Sequence, residues 1–495
     1  MASQTNGKRW KIIMPPTPHH AREGCVHIIG AGVAGMAAAL ALREAGRRVV
    51  VHEAARFAGG RARSFHDPHL NCTIDNGTHL ILAANHAVLS LLDRLGTRTH
   101  LKPPPDPAFF LFDRRNGCHI TLRIEKVLGP FLRLRWQGSP SSCTPRVNLA
   151  DYLKSTAALF TTDPQKLAAR LEKTGPLWRL FWEPFIIAVL NTPPNQADPA
   201  PLRRVLLETF GRGADALLPL LSDVGLSGLL ADPFCERAQR DEHFTLRLSH
   251  PVRAIETDGH RINALIFDDE TIRLNSRDCV ILAVPPWTAR RLLPAIPAPD
   301  RFSPIVNVHF RLSEEHTTRH NAAIIHVTPA KAGVSHHKRM NKWPEIPAFA
   351  GMTMHTSCRV SEERAEHVAQ RFFGVIDGTA QWIFRRGPLI SVTVSAAEAL
   401  QAQRREDIAR ACWRDVAAVF NLAEDPMPPV RVIAEKRATF LCTPAQSARR
   451  PPADVGFSNL FLAGDWVNTG LPATLESAAR SGETAARLAI ARTAC

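Results

Sequence analysis

The passage that most limits what this chain can fold into is "VHIIGAGVAGMAAALALREAGRRVVVHE", Val26 to Glu53. An apolar strand runs into Gly30-Ala31-Gly32-Val33-Ala34-Gly35, an Ala/Leu-rich helix follows, and a second strand ends near Glu53. Each glycine has its own physical task. Gly30 permits the tight turn, Gly32 lets a pyrophosphate approach the backbone at the helix N-terminus, and Gly35 lets helix and strand pack closely. Glu53 stands where a carboxylate accepts hydrogen bonds from an adenosine ribose, and an acid there argues against a 2′-phosphate. Strand, turn, helix, second strand and acid all point to a dinucleotide-binding α/β unit.

The remainder is ordinary in bulk and unusual in charge. Its 495 residues suffice for a large two-part enzyme, and 45% hydrophobic with 22% charged residues is a globular composition. A formal net charge of +15 calls for an acidic partner: a phosphate-bearing ligand, an anionic membrane surface or nucleic acid. No nucleic-acid-binding signature accompanies the charge, and the basic clusters are short, so no nucleic acid partner is expected. Ten cysteines without a Cys-x-x-Cys pair predict reduced thiols, a cytoplasmic chain and no metal site. No apolar run is long enough to cross a bilayer, so membrane contact is expected only peripherally, at the inner face.

Strands and helices alternate at both ends of the chain. This predicts a parallel layer assembled from the distant segments 25–85, 235–300 and 430–495. Segments 86–234 and 301–429 then supply a second, α+β domain for the substrate. Residues 1–24 are polar, basic and proline-bearing, and read as a flexible leader. "HVTPAKAGVSHHKRMNKWPEIPAFAGMT", His326 to Thr353, interrupts two runs that otherwise read as neighbouring strands. The stretch 325–370 around it reads as an inserted, exposed loop.

Three further passages identify the dinucleotide. "FAGGRARSF" follows the second strand, "PVRAIETDGHRINALIF" lies mid-chain, and "NLFLAGDWVNTGLPATLESAARSGETAARLA" closes it. Together they resemble the amine-oxidase and phytoene-desaturase class of flavoproteins. The resemblance implies FAD, with Gly59, Gly60, Arg61 and Arg63 passing its diphosphate and the backbone of Val252 at the adenine; with no attachment motif evident, the flavin is expected to be non-covalent. It places Gly464 and Asp465 at the ribityl or diphosphate portion. The helix start at Ala473, Thr474 and Leu475 would face the flavin N1/O2 edge, where its partial positive charge favours the anionic reduced ring. The expected fold is α/β: a Rossmann-like FAD-binding domain of the glutathione-reductase/amine-oxidase type with an inserted α+β substrate domain.

The substrate half is oily. "PLWRLFWEPFIIAVLNTPP" sets Trp178, Phe181, Trp182 and Phe185 at i, i+3, i+4, i+7, either a core helix or the wall of an apolar tunnel, with Glu183 beside it. The single tyrosine, Tyr152, lies far from the flavin motifs, which excludes a tyrosine cage of the amine-oxidase kind. "DNGTHLIL", "WEPFIIAVLNTPP", "GTAQWIFRRG", "EKRATFLCTPAQ" and "LAGDWVNTGLPATLESAARSG" together resemble the hydroxysqualene dehydroxylases, flavoproteins of bacterial hopanoid synthesis. The resemblance runs from Cys25 to Leu488 and departs in the leader and in 325–370.

It implies reductive removal of the hydroxyl of hydroxysqualene, a C30 allylic alcohol, to give squalene, with hydride from reduced FAD and an unidentified electron donor. Such chemistry needs a proton donor in a dry pocket. His79 is the first candidate, with a packed structural imidazole as the alternative. Glu183 is the second, with a helix-end role or a salt bridge to Arg179 as its alternative; Asp75 and Asn76 shape the turn. A polyisoprenoid desaturase or an amine oxidase is the rival enzyme, and a flavin-free prenyl-lipid carrier the rival of another class. "FLRLRWQG", Phe131 to Gly138, alternates apolar and Arg residues and offers Trp136 as an interfacial anchor or, alternatively, a solvated strand face.

Overall fold

The apolar run before Gly30 forms the strand Cys25–Ile29, central in a five-stranded parallel sheet. The computed structural model describes residues 24–104, 106–128, 131–313 and 371–493, so the leader before Gly24 and the 325–370 stretch lie outside the described residues. Strand order is Phe244–Arg247, Arg48–His52, Cys25–Ile29, Cys279–Leu282, Leu460–Leu462. Parallel strands are covered on both faces and so read as unbroken apolar runs, here CVIL and LFL. Val26 and Ile28 pack on one side against helices Val33–Glu44, His86–Leu95 and Leu475–Thr493. Ile29, Val280 and Leu282 face the other side, toward the antiparallel meander Ala254–Thr257, Ile262–Ile266, Thr271–Arg273.

The second layer is an eight-stranded sheet running from Val430–Phe440 through Phe302–Arg311, Leu389–Ser395, Trp382–Arg386, Phe372–Ile376, Phe109–Asp113 and Cys118–Leu128 to Phe131–Ser139. Only the pair Phe372–Ile376 with Phe109–Asp113 is parallel. Helix Arg405–Phe420 covers one face of this sheet, burying Trp413 against Phe310. Two segments sit differently from their grouping by sequence. Val430–Phe440 is an edge of this sheet, whereas His86–Leu95 packs its Val88, Leu91 and Leu92 onto the parallel one.

The oily segment has an irregular backbone. Trp178–Trp182 forms a wide π-helical turn, and the α-helix Glu183–Leu190 follows with Pro184 in its first turn. Ser227–Ala231 and Asp232–Arg240 repeat the device with Pro233. A proline lacks the N–H that an α-turn would use and crowds the carbonyl four residues earlier, and widening the turn relieves both. The wide turn also breaks the 3.6-residue period, so the four aromatics do not share one face. Phe181 and Phe185 stack at 5.2 Å, while Trp182 turns into the core and donates to Ser155 Oγ at 2.8 Å.

"LNTPP" ends this helix. Asn191 adopts a left-handed conformation, φ 48°. Its amide donates to Ser303 O and Thr439 Oγ1 and accepts from Ala396 N, and the Thr192 hydroxyl accepts from Cys442 N. The motif is a clasp between the helix and the large sheet. Asn191→Ala removes three hydrogen bonds, including the one that satisfies the half-buried Ala396 N–H, so it should lower unfolding stability by about 2 kcal/mol, read as a lower urea midpoint at unchanged slope.

Two expectations are corrected here. Cys118 and Cys143 form a disulfide, Cα–Cα 6.1 Å, where sequence suggested uniformly reduced thiols. The turn Ser141–Cys143 can lie against the strand because Gly138 carries no side chain to strike the Cys143 backbone. Trp136, read as an interfacial anchor, is 9% exposed and donates to Tyr152 Oη at 3.1 Å.

Buried imidazoles make the fold acid-sensitive. Desolvation holds His27 and His52 below the ordinary range and pushes His309 down to about 4. His27 Nδ1 and His52 Nε2 are 3.1 Å apart, and His309 Nδ1 bonds Ser391 Oγ at 2.8 Å. An unfolded chain takes up these protons near pH 6.5, while the fold resists until about 4 in the case of His309. The unfolded state therefore binds more protons in between, so stability is complete above 6.5 and is lost as pH falls. The melting temperature should drop from pH 7 to 5, each imidazole costing at most about 1.4 kcal/mol per pH unit. His309→Asn should flatten the profile. A level profile in the parent protein would count against neutral buried histidines.

Candidate active site

Where the two layers meet they enclose a cavity of about 670 Å³. The first loop supplies its floor. Gly30 has φ +109°, and a side chain there would meet Ala283 O at 2.5 Å; at Gly35 it would meet Gly30 O at 2.0 Å. Gly32 is different: a Cβ there would meet nothing within 4 Å, because the loop opens onto the cavity. Gly30 and Gly35 thus lie beneath the wall, and Gly32 is in it. Gly59 N donates to Ala31 O at 2.9 Å, which binds the Gly59-Gly60 loop to the first one, and both of its glycines line the cavity. Glu53 also reaches the wall, its carboxylate accepting from Ala31 N at 2.7 Å and Ala55 N at 2.8 Å.

Arg61 Nη2 pairs with Asp465 Oδ1 at 2.7 Å, joining residues 404 apart in sequence. Arg450, which sequence reasoning missed inside "SARRPP", is buried and donates to the carbonyls of Asp465, Trp466 and Val467, holding the Gly464-Asp465 turn in place. The helix that sequence started near Ala473 starts at Leu475, with Thr474 Oγ1 accepting from Ser477 N, and Ala473 to Leu475 line the cavity. Its Glu476 and the neighbouring Glu208 share Arg480, whose hydrogen bond outweighs burial and holds Glu208 down to about 2. No motif flagged this cluster, because Glu208 joins Glu476 and Arg480 from a different helix.

Besides Gly30 and Gly35, two predicted cofactor residues are not among the wall residues. Val252 is buried, although the backbone two residues before it is tied to Glu53 by His250 N. The guanidinium of Arg63 lies over the Phe57 ring at 4.0 Å, and its buried Nε has no partner among the described residues.

The opposite wall is apolar. Phe109, Phe181, Phe185, Phe210, Phe372 and Trp382 all face the cavity. Of the two candidate acids only His79 reaches it. Its ring is exposed into the cavity, and desolvation by the protein around it pushes it down to about 4, with Asp75 acting upward and Arg61 downward. Glu183 is raised by burial and then by Asp377 and Glu172, and it is not a wall residue. The salt bridge weighed for Glu183 with Arg179 does not form; Arg179 pairs with Asp113 and Asp377. Asp75 is occupied by Ser64 Oγ, Leu226 N and Arg386, all on other segments, so it ties its turn to the surrounding fold.

A glycine cradle open to the cavity, the Glu53 carboxylate, the Arg61–Asp465 pair and a helix start converge from distant segments. That combination fits an FAD diphosphate and flavin, and defines the class: a two-layer flavoprotein oxidoreductase that binds FAD. The comparisons agree. The flavin containing amine oxidoreductase family model matches residues 33–490. Cyclohexylamine oxidase from Brevibacterium oxydans, 16% identical, shares the fold with a TM-score of 0.63 over 94% of this chain and 98% of that one. The hydroxysqualene dehydroxylases of Zymomonas mobilis and Sinorhizobium fredii are each 34% identical over 94% of this chain, and over 98% and 99% of their own lengths. The chain belongs to the hydroxysqualene dehydroxylase family of the flavin containing amine oxidoreductases.

Proposed function

We propose that this chain reductively removes the hydroxyl of hydroxysqualene, releasing water and forming squalene. The observation that carries the reading is one continuous cavity whose floor is the Gly32 cradle and whose far wall is aromatic, with His79 opening into it. When bound and reduced, FAD supplies the hydride that replaces the departing hydroxyl. The chain supplies the proton and the setting. His79, once protonated, gives its N–H proton to the hydroxyl oxygen, so that water rather than hydroxide leaves. Phe181, Phe185 and Trp382 keep bulk water from the allylic cation and present ring faces that favour positive charge. Asp465, Glu208 and Glu476 are engaged by arginines, and Glu53 accepts two backbone N–H groups, so these wall carboxylates are not idle nucleophiles.

Supporting the direction of transfer is kinship to dehydroxylases along nearly the whole chain. The surplus of positive charge fits an anionic membrane surface as the place where so apolar a substrate is met. Among the described residues no helix is long and apolar enough to cross a membrane. Lipid extracts from the protein incubated with hydroxysqualene and a chemical reductant should contain squalene, and extracts without reductant should not. Formation of more unsaturated products from squalene would instead favour a desaturase.

A further inference from the structure

The helix Leu149–Ala158 is built inside out. Its inner face is mostly polar or small: Asp151, Ser155 and Ala158 are buried and half-buried Tyr152 is its one large ring on the core, Asp151 completing a capping box with Asn148 and Ser155 receiving the Trp182 indole. Its outer face carries Leu149, 74% exposed, and Leu153, 63% exposed, one turn apart. Phe160, 82% exposed, follows directly. Arg203 clamps this corner by donating to Leu159 O and Thr161 O, and one turn further along the same helix Leu207 is 66% exposed. A helix in water ordinarily shows the reverse pattern.

We propose that Leu149, Leu153, Phe160 and Leu207 form a monotopic face that inserts into the surface of an anionic lipid bilayer. Charge selects this occupant. Arg146, Lys154, Lys166, Arg170 and Lys173 are exposed on or beside helices Leu149–Ala158 and Pro164–Glu172 and outnumber the acids Asp163 and Glu172 there, the pattern of an interfacial element on acidic lipid. Position agrees as well. Trp182, which holds Ser155, neighbours Phe181 of the cavity wall, and the Leu207 helix contributes Val205 to that wall. The face therefore lies one layer from the apolar cavity, and in this respect it builds on the proposed lipid substrate. Trp136 stands one layer further in, which is why the sequence pattern around it located the anchor in the wrong element.

The test is sedimentation of the full-length holoprotein with phosphatidylcholine vesicles, with and without phosphatidylglycerol, in the absence of substrate. The parent protein should bind the phosphatidylglycerol vesicles. Leu153→Glu with Phe160→Glu should weaken that binding about tenfold or more, at unchanged flavin absorbance and melting temperature. Lys154→Glu with Lys173→Glu should weaken it and lower its salt dependence, whereas Arg404→Glu with Arg410→Glu, an equal change of net charge elsewhere, should not. Failure of the parent to bind, or equal binding by Leu153→Glu/Phe160→Glu, overturns the proposal. So does a lowered melting temperature or a changed oligomeric state in that variant, which would show the face covered by protein. Vesicle binding without turnover of hydroxysqualene would keep this proposal and remove the substrate reading.

Discussion

Gly32→Val will give a folded, colourless protein. The backbone at Gly32 has φ −79° and ψ −179°, which any residue adopts, and a side chain there meets no protein atom within 4 Å. What it meets is cavity space, which we propose receives the FAD pyrophosphate. FAD affinity should fall about 100-fold or more, equivalent to roughly 2.7 kcal/mol, while the circular dichroism of the apoprotein stays native. Gly35→Ala makes the opposite case. Its Cβ would lie 2.0 Å from the Gly30 carbonyl oxygen, a backbone atom that cannot turn aside, so helix and strand must separate and the fold itself should fail. Absorbance of bound flavin per mole of protein, read beside thermal melting, separates the two. Stoichiometric flavin in Gly32→Val would mean the cofactor lies elsewhere.

The second large effect belongs to His79. His79→Gln keeps a polar group of similar reach but cannot deliver a proton, so turnover should fall about 100- to 10,000-fold with flavin still bound. Burial that lowers this imidazole to about 4 makes its protonated form a strong acid present in small amount at neutral pH. In the parent protein kcat/KM should therefore rise about tenfold per unit as pH falls from 7 toward 5, until acid unfolding intervenes. His79→Gln should lose that slope, and Glu183→Gln should retain both slope and rate. A pH-independent parent, or a Glu183→Gln as impaired as His79→Gln, would move the proton donor away from His79.

What could be read in the sequence was whatever depends on local backbone demands. Gly30, Gly32 and Gly35 announce themselves because a turn, an approach and a packing contact each forbid a side chain, and the strand pattern CVHII and LFL follows from burial on both faces. The convergence of Gly59-Gly60, Asp465 and the Leu475 helix was legible only through the resemblance to known flavoproteins. Several features depend on partners brought together by tertiary packing and left no local trace. Arg450 clamps the Gly464-Asp465 turn across 15 to 17 residues, and Arg480 joins Glu208 to Glu476 between helices. The helical period put Trp182 on one face with Phe181 and Phe185, whereas the wide turn before Pro184 shifts the phase and sends Trp182 into the core. Trp136 shows the same dependence: alternation in "FLRLRWQG" describes a strand, but the burial of Trp136 is decided by Tyr152, outside the strand.

The central claim is that this cavity delivers a hydride and a proton to an allylic alcohol. Its most direct test is anaerobic: reduce the flavin stoichiometrically, mix the protein with hydroxysqualene, and follow the flavin spectrum while quantifying extracted lipid. One squalene formed for each flavin re-oxidised, with the rate falling sharply in His79→Gln, is the predicted result. A reduced flavin that stays reduced in the presence of hydroxysqualene would contradict the account.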